Sequence, residues 1–350
     1  MDRIFLCFIF GKNIRFILSK NKTDMTINIG IIGGAGYTGG ELLRILINHP
    51  FVRIAFVHSN SQAGKPVYQT HTDLLGDTEL LFTGEDPAVL LAQDGLDAVF
   101  LCSGHGASAR FLAQYDPSDE LHLIDLSADF RDESDDFVYG LPELQRDRIA
   151  QATRIANPGC FATSIQLALL PLASAGLLGD DVHVSAVTGS TGAGQALVPT
   201  TGFTWRNNNL SIYKAFTHQH LTEIRRSLTQ LQPAFERAVH FVPYRGDFTR
   251  GIMANVYTPY AGSREDAKQV YRTYYADHPF THLSDAPIDL KQVVNTNKCL
   301  LHLDVHDGQL LITSIIDNLA KGASGQAVQN LNLMFGLPED TGLRLKPVAF

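Results

Sequence analysis

The chain has 350 residues, enough for about two domains at roughly 150 residues each. It carries 28 Lys and Arg against 36 Asp and Glu, a formal net charge of -8, with 45% hydrophobic and 18% charged residues. The charged share lies below the usual figure of about 25%, which excludes a disordered chain. The acidic balance, with no Lys/Arg block, excludes a nucleic-acid binder that works by phosphate neutralisation. An anionic small molecule must therefore be held by local groups such as backbone N–H, helix N-termini and single basic side chains. The cysteines, Cys7, Cys102, Cys160 and Cys299, form no C-x-x-C and no zinc spacing, so a reducing cytoplasm and no metal are expected. No apolar run reaches the roughly 20 residues that span a bilayer. The longest, Leu167 to Leu178, is broken by Pro171 and Ser174.

Residues 1–24 lack the charge-first order of a signal peptide. Met25 stands just before a strand and reads as the natural start, with 1–24 an artefact of gene-start assignment or a loose, disordered tail. Ile27–Ile32 is a short apolar strand; glycine-rich residues 33–40 follow, then a helix from Glu41 to Asn48 that Pro50 stops. Val52–Val57, Ala98–Cys102 and Leu121–Leu126 read as further strands, with a helix over Ala107–Gln114. Strands alternating with helices imply right-handed βαβ units, so residues 26 to about 157 are a nucleotide-binding, doubly wound parallel sheet of Rossmann type, an α/β fold. Beyond it, Val182–Val187, Val239–Val242, Gly251–Tyr257, Lys298–Val305 and Gln309–Ile316 alternate apolar and polar residues, the mark of a mixed or antiparallel sheet covered on one face. Asp307-Gly308 is a hairpin turn, and Asn318–Phe335 is helical with a glycine-containing start. There is no internal repeat.

Gly34-Ala35-Gly36-Tyr37-Thr38-Gly39 fits G-x-G-x-x-G between a strand and a helix, the context in which glycines admit a pyrophosphate and the helix N-terminus attracts it. The second strand ends in His58-Ser59-Asn60-Ser61-Gln62-Ala63-Gly64-Lys65, with no acid to hold a ribose 2′-OH; Ser59, Ser61 and Lys65 suit a 2′-phosphate, hence NADP(H). In Asn157-Pro158-Gly159-Cys160, the Pro-Gly turn places Cys160 at the N-terminus of an apolar helix, read from Thr163 to Leu172. There the dipole and free N–H groups should lower the thiol pKa. Cys102, inside a strand, suits a structural role better. His220 and Glu223, three apart, share a helix face, so the carboxylate can orient an imidazole serving Cys160 or raise its pKa. His218 and His220 are alternative bases; as metal ligands they lack a third partner. Three loops add polar groups: Ser103 to Arg110, Asp125 to Arg131, and Gly189 to Gln195, the last a possible anion nest.

The ordered set of motifs is specific. Gly33 to Leu42, Asp125 to Arg131, Tyr139-Gly140-Leu141-Pro142-Glu143, Asn157 to Thr163, His218-Gln219-His220 with Glu223-Ile224, and Asp317 to Asn332 resemble the N-acetyl-γ-glutamyl-phosphate reductases of arginine biosynthesis, relatives of aspartate-semialdehyde dehydrogenase. The likeness covers nearly all of 26–350; Thr222 departs from a usual Pro, and Phe161-Ala162 from a common Tyr-Pro. It implies an NADP-binding unit of residues 25–157 with about 318–350, and a catalytic, substrate and dimerisation unit of 158–317. It implies a cytoplasmic dimer or tetramer and a small acyl phosphate substrate, with neither membrane nor nucleic acid as partner. It also implies a cysteine thioester formed from the acyl phosphate and reduced to a semialdehyde. Gly33, Ala35, Gly36, Tyr37, Thr38, Gly39, Ser59, Ser61, Lys65, Ser103, Gly104 and Asn318 are then the candidates to hold the cofactor. His105, Ser108, Arg110, Ser127, Asn157, Gly192, Gly194 and Arg250 are the candidates to bind substrate. Cys160, His218, His220 and Glu223 are the catalytic candidates. Related reductases of N-succinyl-glutamyl, aspartyl or aminoadipyl phosphate are alternatives, as is a non-catalytic NADP sensor. Arg110, Arg206, Arg245 and Arg250 are the cations available to read an extra carboxylate. From the end of the second strand we expect a lower KM for NADPH than for NADH; steady-state kinetics with both would show it, and a preference for NADH would overturn the reading.

Overall fold

The computed structural model describes residues 26–349, so the reading of residues 1–24 lies outside the described residues. The first sheet comprises β1 (Ile27–Ile32), β2 (Val52–His58), β3 (Phe82–Thr83), β4 (Ala98–Leu101), β5 (His122–Asp125), β6 (Val138–Tyr139) and β7 (Arg154–Ala156). Every ladder in it is parallel, and the order is β3-β2-β1-β4-β5-β7-β6. The order reverses beside β1, so the carboxyl ends of β1 and β4 open a crevice, the usual ligand position in such sheets. Both faces are buried. Ile29, Ile31, Val57, Phe100 and Ile124 pack on one side, and Ile32, Val99, Leu101 and Leu123 on the other. This explains why the strands read as continuous apolar runs.

Helix α1 (Tyr37–Leu46) begins four residues before the position read from the sequence, taking in Gly39 and Gly40. Close packing overrides their poor helix propensity. A Cβ on Gly39 would lie 2.5 Å from the carbonyl oxygen of Gly34, and one on Gly40 2.5 Å from the His71 ring. The remaining helices beside this sheet are α2 (Pro87–Leu91), α3 (Ala107–Tyr115) and α4 (Pro142–Ala150).

Helix α5 (Cys160–Ser174) leads into the second sheet. That sheet contains β8 (Val182–Thr188), β9 (Ser211–Ile212), β10 (Val239–Arg245), β11 (Ile252–Pro259), β12 (Thr281–Ser284), β13 (Cys299–His306) and β14 (Gln309–Ile316). Its order is β12-β13-β14-β11-β8-β10-β9, with β8/β10 and β12/β13 parallel and the other pairs antiparallel. Alternate residues of β8 and β11 are buried under α5, α7 (His220–Leu231) and α8 (Arg264–Tyr274), while α6 (Phe203–Arg206) is a single turn in a connection. The hairpin of β13 and β14 turns on Asp307 and Gly308, both at positive φ (47° and 72°), the pair of left-handed residues a type I′ turn requires. The C-terminal helical segment is a π-helical turn, Ala320–Ser324, followed by α9 (Gly325–Met334). α9 returns to the first sheet, where Ala327, Val328 and Leu331 join its core.

Arg250, read from the sequence as a substrate cation, has another task. Its two terminal nitrogens bind the Glu41 carboxylate at 2.8 Å each, and Nη2 lies 2.9 Å from Asp317. Glu41 belongs to α1 and Asp317 follows β14, so Arg250 ties the two sheets together. Nε, Nη1 and Nη2 are all engaged in this joint, and Arg250 does not line the cleft between the sheets. Arg250→Ala leaves the buried Asp317 without its cation and Glu41 with Arg44 alone, and should cost about 3 kcal/mol in urea unfolding. A large rise in substrate KM at unchanged stability would restore the discarded role.

Candidate active site

Asn157 leaves β7, Pro158 and Gly159 turn the chain, and α5 starts at Cys160. The turn is held from below by one carboxylate. Glu223 Oε1 accepts from Arg131 Nη1 at 2.9 Å, and Oε2 accepts from Tyr139 Oη and from the Gly159 N–H, both at 2.9 Å. Arg131 Nε also donates to the Asn157 carbonyl at 2.9 Å. Gly159 is obligatory here. A Cβ on it would fall 2.3 Å from His220 Nε2 and 2.7 Å from Arg131 Nη1. His220 therefore stands directly against the residue before Cys160. His218 lies beside it, ring centroids 4.5 Å apart, and its Nδ1 accepts the His220 N–H at 3.3 Å.

A cleft of about 780 Å3 runs between the sheets. At one end Gly36, Tyr37 and Thr38 line it; at the other stand Gly192, Gly194, Lys214 and Arg245; Ser103, Gly104, His105, Asn157, Cys160, His218, His220 and Asn318 lie between. The first end fits a dinucleotide. α1 starts with no side-chain cap at Gly36, which leaves its N–H groups for a ligand, and Gly33 at φ +80° curls the loop tightly over β4. Among the described residues no group of three or more His, Cys, Asp or Glu could hold a metal, and no helix is long and apolar enough to cross a membrane.

Residues 28–152 match the family model "Semialdehyde dehydrogenase, NAD binding domain", and residues 160–318 match "Semialdehyde dehydrogenase, dimerisation domain". A relative in Christiangramia forsetii named N-acetyl-gamma-glutamyl-phosphate reductase is 58% identical over 326 residues, covering 93% of this chain and 100% of its own. One of the same name in Phocaeicola vulgatus is 54% identical with the same coverage. The chain belongs to the N-acetyl-gamma-glutamyl-phosphate reductase family. Its fold is also that of aspartate semialdehyde dehydrogenase II of Vibrio cholerae, complexed with ASA (TM-score 0.70, 18% identity, 89% of this chain and 99% of that one). The Candida albicans aspartate semialdehyde dehydrogenase with NADP is similar (TM-score 0.64, 13% identity, 89% and 98%).

In this member of the reductase family several candidates take supporting places. Ser108, read as a substrate residue, is fully buried and donates to Asp125 at 2.6 Å; Ser127, read likewise, donates to the other Asp125 oxygen at 2.6 Å. Both hydroxyls are spent on a buried carboxylate whose pKa desolvation raises even against those hydrogen bonds, and neither Ser108 nor Ser127 lines the cleft. Arg110 is exposed on α3 and does not line the cleft, and Arg206 is spent on the Arg245, Asn209 and Thr200 carbonyls and the Ser211 hydroxyl. Arg245 and Lys214 remain as cleft cations. Asn318 lines the cleft but uses its amide within the protein, accepting from the Gly251 N–H at 2.7 Å and donating to Thr191 at 3.0 Å. Gly39 packs behind the loop on Gly34, and Ala35 on the first-sheet core. Ser59, Ser61 and Lys65 sit past the end of β2, outside the cleft lining, with Lys65 donating to Gln62 at 3.1 Å. Arg131 and Tyr139 were given no role by sequence reasoning, although both lie in motifs it singled out; only the fold shows that they meet Glu223.

Two electrostatic expectations are corrected. Glu223 does not raise the His220 pKa. The nearest approach is 3.9 Å, the carboxylate is occupied by Arg131, Tyr139 and Gly159, and burial with the Arg131 charge holds the imidazole well below its ordinary range. His218 is pushed down to about 4 by burial, then by Lys214 and Arg245. Both imidazoles are neutral at pH 7. Nor is Cys160 a ready thiolate: burial pushes its thiol up to about 11, outweighing the Phe161 N–H and Arg131, while Glu223 opposes ionisation. The helix terminus is present, but desolvation is the larger effect. In the dinucleotide-free protein, alkylation of Cys160 by iodoacetamide should therefore climb continuously from pH 6 to beyond pH 9. A plateau below pH 8, read by mass spectrometry of the labelled peptide, would show a thiolate.

Proposed function

We infer that the protein reduces N-acetyl-L-glutamyl 5-phosphate to N-acetyl-L-glutamate 5-semialdehyde and phosphate with NADPH, a step of arginine biosynthesis. The observation that carries this is one shared cleft, which joins an uncapped, glycine-bounded helix terminus to a cysteine that heads a second helix beside a neutral imidazole. The relatives' names supply the acyl group. Preference for NADP(H) over NAD(H) rests on the acid-free stretch Ser59 to Lys65, and the similar Candida albicans structure is of the enzyme with NADP.

The chain's own residues account for the proton and the nucleophile. His220 is the better base: its Nδ1 has no partner, and its Nε2 stands where a Gly159 side chain would be, next to the nucleophile. A neutral imidazole takes the Cys160 proton as sulfur attacks the acyl carbon. The carbon–oxygen bond to phosphate breaks with its electron pair, and the imidazolium returns the proton to the leaving oxygen. The product is a thioester on Cys160. Gly36, Tyr37, Thr38, Ser103 and Gly104 would hold the dinucleotide, which when bound supplies the hydride that reduces the thioester. The resulting tetrahedral oxyanion re-forms its carbonyl, the carbon–sulfur bond breaks, and the thiolate takes a proton from water. Positive groups near the acyl end, Arg245 and Lys214, would meet the substrate's charge, with His105, Asn157, Gly192 and Gly194 around it.

We assign dinucleotide binding to residues 25–157 with about 318–350, and acyl chemistry and self-association to 158–317. The support is that α9 packs into the first sheet while α5 and α7 pack on the second. A cytoplasmic dimer or tetramer fits a biosynthetic enzyme with a dimerisation-domain match. Cys160→Ala should abolish phosphate-dependent reduction of NADP+ by the semialdehyde while NADPH still binds; a near-wild-type rate would end the covalent scheme. His220→Asn should lower kcat by about 10^2–10^4-fold. His218→Asn should lower it less, and the reverse ranking would transfer the base to His218.

A further inference from the structure

The turn Ala320–Ser324 is π-helical. Gly322 N–H donates to the Asp317 carbonyl at 2.9 Å and Ser324 N–H to that of Leu319 at 2.7 Å, each five residues back. Such turns are locally unfavourable and depend on tertiary support. This one touches both halves of the reaction centre. A Cβ on Gly322 would lie 2.9 Å from Cβ of Cys160; the Ala323 carbonyl accepts from Asn157 Nδ2 at 3.0 Å; the Ser324 hydroxyl donates to the Thr38 carbonyl of the nucleotide loop at 2.8 Å.

Its anchor is Lys321. The ammonium is fully buried, 2.8 Å from Glu143 Oε1 and 2.9 Å from Gln329 Oε1, with the Phe280 ring 5.9 Å away. Glu143, at the start of α4, is buried too and also accepts from Thr281 at 3.1 Å. A buried ion pair far from water is an expensive way to fill space, since apolar side chains of the same volume are commonly as stable or more so. What a directed pair adds is a fixed position for the backbone that carries it.

We propose that Lys321 is a positioning residue for hydride transfer. Bound to Glu143, it fixes the π-helical turn that sets the nucleotide loop against the sulfur of Cys160. This rests on the reductase reading above. The turn packs directly on Cys160 through Gly322 and reaches Thr38 through Ser324, two residues on, so slack in it changes the spacing between the two loops. Its hydrogen bonds reach neither His220 nor Glu223.

The test compares wild type, Lys321→Met and the double variant Lys321→Met/Glu143→Leu, which removes both charges and keeps the volume. Four readouts are taken: melting temperature, the phosphate burst from acyl phosphate without dinucleotide, kcat, and its isotope effect with 4-deuterated NADPH. The double variant should melt near wild type and give a full burst, yet lose kcat about 100-fold, the scale of an ångström misplacement remote from the chemistry. Its isotope effect should exceed that of wild type, because the hydride step has become limiting. Lys321→Met, where it folds, should show the same kinetic deficit with a lower melting temperature; if it does not fold, the double variant decides alone. A double variant with kcat within about threefold of wild type would overturn the inference, reducing the pair to a structural role. So would a lost burst with an unchanged isotope effect. Wild-type enzyme without acyl-phosphate reductase activity would instead remove the reductase reading, and this inference with it.

Discussion

The carboxylate of Glu223 is the point on which the reaction centre depends. Three donors from three parts of the chain converge on it: the Arg131 guanidinium, the Tyr139 hydroxyl and the Gly159 N–H. Arg131 comes from a connection of the first sheet and Tyr139 from its strand β6, Gly159 precedes Cys160, and Glu223 itself rides on α7 over the second sheet. A buried carboxylate held by donors from this many directions is fixed in place. Its negative charge also discourages ionisation of Cys160, so the site holds a neutral thiol beside a neutral imidazole instead of an ion pair. In the proposed reaction this couples nucleophilicity to attack, with the proton leaving sulfur as the carbon bond forms.

The cleft exists because two sheets of different construction are clamped at fixed distance. The parallel sheet needs both faces covered, and α9 from the far end of the chain supplies part of that cover. The mixed sheet needs only one covered face, provided by α5, α7 and α8. Arg250 joins them through Glu41 and Asp317. Polar residues that look available for ligands in the linear chain are consumed within the protein: Arg250 by this joining, Asn318 on Gly251 and Thr191, and Ser108 and Ser127 on Asp125. The groups left facing the cleft include backbone N–H, three imidazoles, a thiol and a few cations. These suffice for a substrate that brings its own charge and leaving group.

Much of this was written locally in the sequence. The β13–β14 hairpin follows from Asp307-Gly308, because the turn type demands two left-handed residues. The glycine loop between β1 and α1, and the Pro-Gly turn that puts Cys160 at the head of α5, are likewise set by residues adjacent in the chain. The buried parallel strands and the alternating strands of the mixed sheet announce themselves by their periodicity. α1 and α5 start four and three residues before the positions read; in α1 the reason is that Gly39 and Gly40 are held by close packing against Gly34 and His71 in spite of their poor propensity.

The sequence by itself determined the fold class and the family, and it singled out Cys160 and the two histidines, since short-range patterns and motif order carry those. Only the tertiary structure decided what state the groups are in and which of them work together. Desolvation and long-range partners fix a pKa or occupy a donor, and these depend on residues far apart in the chain, such as Arg131 and Glu223, which lie 92 positions apart. Helix termini and i,i+3 spacings foretold an activated thiol and a carboxylate-supported imidazole; burial, acting through the whole packed chain, made both neutral.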